Sequence, residues 1–577
     1  MRRLVLLVVV SCAVSAGNVH AVYEVPSERR ILWSAGLDQE GGIPIYKSVP
    51  CSGLDPTGAT NNATQINNCI SSAPPGTAVY IPPGTYAIDG NIKMKSNVVL
   101  RGAGISPPWL PLASAGTTTL SMNGGRIDIA GGSKAYSWSP GPGSGTDITA
   151  GYTKGSNSLT LSGAGGYSVG DYISIFQDND PGVIDTRGYS WLGEDLDGSG
   201  GVHVKQQYAK ITRINGNVIT ISRPIYYVTP SPTGFQIRRQ TMGIVKAGVE
   251  NIKLKGDGTN RRLIDIYFAR HCWIKNVETY NTGGRSGESH ITIMFSHGCE
   301  IRDSYIHHGG SYFSGANYGI DFYFWNSDHK VENNIVRETR HSIIFEGGGS
   351  GCAILYNYSN DGYEGEEPSY LAQDLTTNHG AHPHMNLWEG NIGSKIMGDF
   401  TQGSSSHNTL FRNWGRGYRD SPAFSAGIAG FVIGPFNRYY NLLGNVSGMP
   451  SWTSGTAIED NATARKPVAF SFGRHTDGRY LDPQSYSTSL FHGNYDYVTD
   501  GVTLWQGGSD RSLPDSMYYS SQPSWWCTEV PWPPIGPDVP SLTNDIPAKR
   551  RYDGAWCTRS TPPQASKIPK PPAIPKN

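Results

Sequence analysis

The 577-residue chain reads as an all-β protein wound as a parallel β-helix, and three features of its sequence predict this. It carries 72 glycines and 38 prolines, a composition that favours many short strands and turns over helices. In "LIDIYFARHCWIKN" (263–276), Ile264, Ile266 and Phe268 alternate with Asp265 and Tyr267, the period of a half-buried strand, before a second short alternating run. The same sentence returns as "HITIMFSHGCEIRD" (290–303) and "GIDFYFWNSDHKVEN" (319–333).

Further copies follow at "IRDSYI", "VENNIV", "ILYNYS", "NLWEGNI" and "NTLFRNW", aligning Asn276, Asp303, Asn333, Asn357, Asn391 and Asn413 at unequal steps. Repeats of roughly 20 to 35 residues signal a solenoid in which each rung buries its apolar residues only against its neighbours. The inequality of the steps belongs to loops on one side, where solenoids build their binding clefts. Leucine-rich repeats need regular leucines and a helical turn, and propellers need four strands per longer unit. These copies fit neither. Stacking Ile264, Ile291, Ile320 and Ile343 inward places Asp265, Thr292 and Asp321 in one outward column.

The N-terminus, "MRRLVLLVVVSCAVSAGNVHA" (1–21), has two arginines, an apolar run and small residues at Ala16 and Ala21 as alternative cleavage sites, the pattern of a secretory signal peptide. No later apolar stretch is long enough for a membrane span, so the expected location is secreted or periplasmic. With 47 basic and 47 acidic side chains, the chain lacks the global charge footprint of a nucleic-acid binder.

The stretch 53–104 joins a short amphipathic helix near 63–70 to "VYIPPGTY" and "NVVLRGAG". It resembles the N-terminal cap of the pectate-lyase-like superfamily of right-handed parallel β-helices, which includes lyases, hydrolases, epimerases and phage tailspikes. The resemblance implies a right-handed coil with a capping helix at its open end. Residues 22–147 then form the cap and first rungs, and 241–450 the central coil with its groove. Between them, 148–240 breaks the rung pattern; Asn215-Gly216 is a hairpin signal there, and this segment is read as an inserted antiparallel β subdomain. C-terminal rungs and an aromatic-rich segment occupy 451–560, and 561–577 is a Pro/Lys-rich tail.

After removal of the leader seven cysteines remain, so at least one is unpaired within the chain. Cys51–Cys69 and Cys527–Cys557 are expected as local staples. Cys272 and Cys299 hold the same place in successive copies, and a third disulfide is expected between them.

Chemistry is expected on the outward columns. Two carboxylates two rungs apart, Asp265 and Asp321, would lie roughly 9.6 Å apart, at the upper edge of the roughly 6.5–9.5 Å used by inverting glycosidases. Asp321 and Glu346, about one rung apart, would suit a close carboxylate pair or a shared calcium. Tyr267, Tyr323 and Trp325 are candidate platforms for sugar rings. His271, His297, His329, His384 and His407 read as a structural ladder at one turn. His379 and His382, beside an acidic loop, are candidate acid or base groups. In pectate lyases, which the fold resembles, calcium neutralises a uronate and an arginine or lysine removes the C5 proton; Arg340, Lys395, Arg416 and Arg419, on the later rungs or their loops, are the basic candidates here. The acidic segment 193–201 lacks an EF-hand pattern.

The resulting expectation is an exported enzyme that cleaves an extended polysaccharide, one that includes uronic acid if the lyase resemblance holds, by β-elimination or hydrolysis. Calcium is the cofactor of the first route. The "NTD", "DD" and "GHG" signatures of polygalacturonases are absent. A non-catalytic glycan-binding or adhesin-like β-helix is the alternative.

Overall fold

The structure, a computed structural model, describes residues 23, 25–105, 116–131, 145–185, 203–283, 289–313, 315–459, 467–474, 481–505 and 511–555. The leader, Cys557, the 193–201 segment and the 561–577 tail lie outside the described residues.

The chain is a right-handed parallel β-helix. Among the described residues its rungs form long sheets of twelve, twelve and eleven strands, called here the first, second and third and parallel but for the last strand of the second, Gly501–Leu504, and a fourth sheet of six two-residue strands. One rung shows the path: Trp273–Lys275 in the first sheet, Glu278–Thr282 in the second, Ser289–Met294 in the third and Ser296–His297 in the fourth. Corners are made by residues in the left-handed region, such as Phe268, His271 and Asn276. Phe268 is thus a corner residue and leaves the inward alternation begun by Ile264 and Ile266.

Ile264, Ile291, Ile320, Ile343 and Leu375 pair in register through successive third-sheet strands and are fully buried. Ile396, Phe431 and Phe470 continue the column. The helix Ala63–Ser72 closes the N-terminal end, turning Ile66 and Ile70 into the same core. The Cys51–Cys69 disulfide ties it to the first strand.

One corner holds a buried asparagine ladder. The side-chain oxygens of Asn357, Asn391, Asn413, Asn445 and Asn494 accept the backbone N–H groups of Asn334, Asn357, Asn391, Asn413 and Asn445 at 2.9–3.0 Å. These bonds satisfy amides that no strand ladder reaches at the bend. Asn276, Asp303 and Asn333 stand one residue earlier, with φ of 53°, 57° and 57°. The sequence alignment had merged two adjacent columns, because both favour short polar side chains.

The expected Cys272–Cys299 disulfide does not form. Both are free and buried, as is Cys352. First-sheet register stacks Cys272, Cys299, His329 and Cys352 just before their strands, but each thiol turns to a carbonyl of its own corner. Cys272 Sγ lies 3.5 Å from the Arg270 oxygen, Cys299 Sγ 3.7 Å from that of His297, and Cys352 Sγ 3.8 Å from that of Ser350. Cys527 is disulfide-bonded. The histidines also divide among columns: His297 and His384 share one with Arg270, whereas His329 joins the thiols.

Six antiparallel strands, Thr146–Ala150, Ser158–Leu161, Tyr172–Phe176, Gln206–Asn215, Val218–Ile221 and Gln236–Gln240, close into a barrel with its own apolar core. The barrel leaves the coil after Ile127–Ala130 and returns at Ile244–Val245. Entry and exit touch at Gly131 and Gly243: a Cβ on Gly131 would lie 2.5 Å from the Gly243 Cα. The barrel is seated by Tyr172, Tyr208, Tyr226 and Tyr227 against Phe295, Phe324 and Trp325. At this seat Arg223 donates to Asp328 Oδ1 at 3.0 Å and to the Tyr226 hydroxyl at 2.7 Å. Beyond residue 450 rungs continue to Asn494–Asp496, and Trp526, Val530 and Ile535 of the aromatic-rich segment pack with Leu355, Tyr356 and Phe411 of the first sheet.

Candidate active site

Strand alternation turns every second residue of the third sheet outward. One outward column runs Asp128, Asp265, Thr292, Asp321, Ile344, Thr376. The next carries Tyr267, Met294, Tyr323 and Glu346, the last held by its N–H on the Phe322 carbonyl at 2.9 Å. The barrel borders this second column, because Tyr267, Met294 and Tyr323 join its apolar seat. The loop 361–374 borders the opposite edge.

Charges on this face are paired unevenly. Arg126 Nε contacts Asp128 Oδ1 at 2.7 Å and Asp265 Oδ2 at 3.0 Å, and Arg262 lies 3.7 Å from Asp265. Asp265 is therefore ion-paired with arginine, whereas the sequence reading had paired it with Asp321 as a second carboxylate. Asp321 is 3% exposed, and its Oδ1 has no hydrogen-bond partner among the described residues. The sequence reading had this carboxyl facing water. Burial raises its pKa well above the usual carboxylate range, Glu346 and Asp265 add to the rise, and Arg262 only partly opposes it. Burial likewise pushes Glu346 up to about 7, with Asp399 adding and His379 and Arg262 resisting.

On the next rungs His379 Nδ1 lies 2.6 Å from Asp399 Oδ2. Burial works against a charged His379, but the carboxylates of Asp399, Glu346 and Glu364 outweigh it and raise the imidazole to about 9. His341, whose Nδ1 donates to the Gln373 carbonyl at 2.8 Å, is pushed by burial down to about 3. Lys395 is fully buried with its amine 4.1 Å from the centre of the Tyr370 ring and no hydrogen-bond partner among the described residues. Burial lowers it to about 7 against the pull of Glu364 and Asp374. Arg340 is latched to the Tyr312 carbonyl at 2.9 Å and to Glu366 at 2.5 Å.

The structure thus gathers Asp265, Asp321, Glu346 and His379 on one face, with Lys395 and Arg340 at its loop edge. Three sequence candidates lie elsewhere in role. His382 is buried in the turn beyond His379, its Nε2 2.8 Å from Ser406 Oγ, and neutral. Trp325 and Tyr323, 5% and 9% exposed, are packed into the barrel seat and offer no open ring face to a sugar. Their apolar bodies are used to dock the insertion. Tyr267 is half-buried beside them.

Asp399, Glu364 and Tyr370 were not singled out from sequence. Asp399 follows a slip in register between Thr376 and Gly380, which breaks the alternation that would have aligned it with His379. Glu364 and Tyr370 sit on a loop outside the repeat. The donor set does not fit calcium: Asp321 and Glu346 stand diagonally on adjacent rungs, and no cluster of three or more His, Cys, Asp or Glu among the described residues is arranged around an ion. Calcium takes six to eight oxygens.

Residues 46–139 match the family described as rhamnogalacturonase A/epimerase, pectate lyase-like. No curated protein sequence matches the chain. Among solved structures, the tailspike gp49 of Pseudomonas phage LKA1 is similar at 13% identity and a TM-score of 0.47, over 74% of this chain and 77% of that one. The gp54 tailspike of Acinetobacter baumannii bacteriophage AP22, solved with a capsular saccharide, shows 11% identity and a TM-score of 0.44 over 74% of this chain; the match spans 64% of the tailspike's length. The A-module of the Azotobacter vinelandii mannuronan C-5 epimerase AlgE4 shows 13% identity and a TM-score of 0.35 over 73% of this chain and 93% of the module.

Proposed function

We propose that the outer face of the third sheet of this right-handed parallel β-helix binds an extended polysaccharide and hydrolyses its glycosidic bonds. The observation that carries this reading is the pair Asp321 and Glu346. Both carboxyls are buried and shifted upward, and Asp321 has no ion-pair partner among the described residues. Their backbone positions, one rung apart and offset by two residues, are separated by roughly 8 Å. Backbone positions so spaced are compatible with the carboxyl separation of roughly 6.5–9.5 Å that admits a water molecule in inverting glycosidases.

In this reading Asp321 is the acid. It gives its proton to the glycosidic oxygen as the bond to the anomeric carbon breaks, while Glu346 takes a proton from the water whose oxygen attacks that carbon. The leaving sugar departs with a new hydroxyl, and the two carboxyls exchange protons with solvent before the next turnover. Upward shifts of this kind suit acid–base work near neutral pH.

A second reading rests on Lys395. A buried amine shifted to about 7 is suited to take a C5 proton from a uronic acid, giving β-elimination. The leader at 1–21 and the Cys51–Cys69 disulfide support an exported protein. Among the described residues no helix is long and apolar enough to cross a membrane.

The test is product analysis on a panel of neutral and acidic polysaccharides. Hydrolysis gives new reducing ends without ultraviolet absorbance. Unsaturated, absorbing ends would transfer the reaction to Lys395, and retention of polysaccharide without any product would make the chain a glycan-binding β-helix.

A further inference from the structure

Glu346, His379 and Asp399 succeed one another along three consecutive rungs of the third sheet. His379 is the most accessible of the three, with 16% of its side chain exposed against 5% for Asp399. Its Nδ1 is engaged by Asp399 Oδ2 at 2.6 Å. Asp399 is anchored in turn: its Oδ1 accepts the Thr401 N–H at 2.9 Å, and its carbonyl accepts the side-chain amides of Asn378 and Asn437, each at 2.7 Å. The carboxylate is therefore fixed by the coil, and the imidazole it holds stands on the rung that follows Glu346.

We propose that Asp399 is a positioning residue: through its hydrogen bond to Nδ1 it holds a positively charged His379 ring beside Glu346, and so sets the pH at which Glu346 becomes available as the base. This rests on the reading of Asp321 and Glu346 as the catalytic pair. Neither His379 nor Asp399 takes a proton from substrate in it. The groups interacting with Glu346 are Asp321 and Tyr318 on the preceding rung, Arg262 two rungs further back, and His379 and Asp399 on the following rungs. Those around His379 are Asp399, Glu346, Glu364 from the loop, and the His341 ring at 6.4 Å. Of the cations among them, Arg262 is shared with Asp265. His379 is thus the cation that a single hydrogen bond switches.

The sign follows directly. Without the Asp399 charge, His379 loses its proton at lower pH and the positive charge beside Glu346 disappears near neutrality; Glu346 also loses the smaller upward push of Asp399 itself, so the net effect is that Glu346 ionises later. The acid limb of kcat/KM moves upward.

The experiment compares pH profiles of wild type, Asp399→Asn, His379→Gln and His379→Lys on a polysaccharide that wild type cleaves. Loss of a neighbouring cation moves a carboxyl by about one pH unit or more, so the limb should rise by about one unit in His379→Gln and by less in Asp399→Asn, where loss of the Asp399 charge offsets part of the rise. It should stay within a few tenths of a unit of wild type in His379→Lys, where the charge persists without Asp399. A limb unmoved in both of the first two variants, or moved equally in all three, overturns the proposal. Failure of the catalytic reading shows differently, as full turnover in Glu346→Gln. The His379 imidazole can also be titrated by NMR in the absence of any substrate. It should remain protonated to about pH 9 in wild type and lose its proton at clearly lower pH in Asp399→Asn; equal titration in the two proteins refutes the arrangement irrespective of activity.

Discussion

Asp265 and Asp321 stand two rungs apart in one outward column, with Thr292 between them, yet of the two only Asp265 is ion-paired among the described residues. One backbone position therefore does two jobs. Where arginine is present the carboxylate holds the face together, and where it is absent the carboxyl keeps its proton.

The two aspartates should accordingly fail in different ways. Asp321→Asn removes an acid that has no cation partner, so cleavage should fall by roughly 10²- to 10⁴-fold with little change in thermal midpoint. Asp265→Asn takes a carboxylate from Arg262 and from Arg126, which keeps Asp128, and should cost about 1–3 kcal/mol of stability, with a smaller effect on turnover. Reducing-end assays and thermal melts on both variants check the contrast.

Stability should fall as pH rises through two successive windows. Glu346 keeps its proton in the folded chain to about pH 7, whereas an unfolded glutamate releases it near 4.5, so the native state binds the extra proton between these values. That window costs up to about 3 kcal/mol at its upper end. His379, raised to about 9, contributes stability that is fully present below pH 6.5 and is lost as pH climbs toward 9. Denaturant midpoints measured from pH 4 to 9.5 should show both declines. Glu346→Gln should make the lower one shallower, leaving the part contributed by Asp321, which burial also raises, and His379→Gln should flatten the upper.

Cys272, Cys299 and Cys352 should be inert in the native protein and should react with iodoacetamide in denaturant without any reductant. Burial pushes the Cys299 thiol well up, and the adjacent Cys272 adds to the shift, so neither exposure nor thiolate favours attack. Peptide mapping should find these three alkylated and Cys51–Cys69 intact. A cross-linked peptide joining Cys272 to Cys299 would show that oxidation overrides the corner geometry.

Asn391 should be far costlier to lose than Asn276. Its oxygen accepts both the backbone N–H and the side-chain amide of Asn357, at 2.9 and 3.0 Å. Asn391→Ala leaves two buried donors unsatisfied, at about 1–3 kcal/mol each. Asn276→Ala keeps the ladder whole and costs a left-handed alanine, about 1–2 kcal/mol, and one side-chain hydrogen bond to Asn251. Urea unfolding distinguishes them.

The inward column from Ile264 to Ile343 was legible because a period of two survives any change in loop length. The register of Asp265, Thr292 and Asp321 came with it. What sequence could not supply was anything decided by a neighbour outside the repeat. Trp325 and Tyr323 read as open aromatic platforms, but the inserted barrel lies on them. Asp321 read as solvated because nothing in a strand pattern reports what lies above its face. Asp399 was hidden by the slip in register at Asn378, and the histidine and asparagine columns were misaligned because corner residues of similar character sit next to one another.

The contact between Gly131 and Gly243 bears on how the chain folds. The third-sheet strand before the barrel and the fourth-sheet strand after it belong to one turn of the coil, yet in an unfolded chain they are the ends of a very long loop whose closure is entropically costly. Once the barrel has formed, its two ends are already side by side and that cost has been met by a unit with its own core. The barrel therefore serves as a clasp that holds the two ends of this turn together. Assembly of the coil should nucleate among the shorter, local rungs downstream and reach the N-terminal cap last.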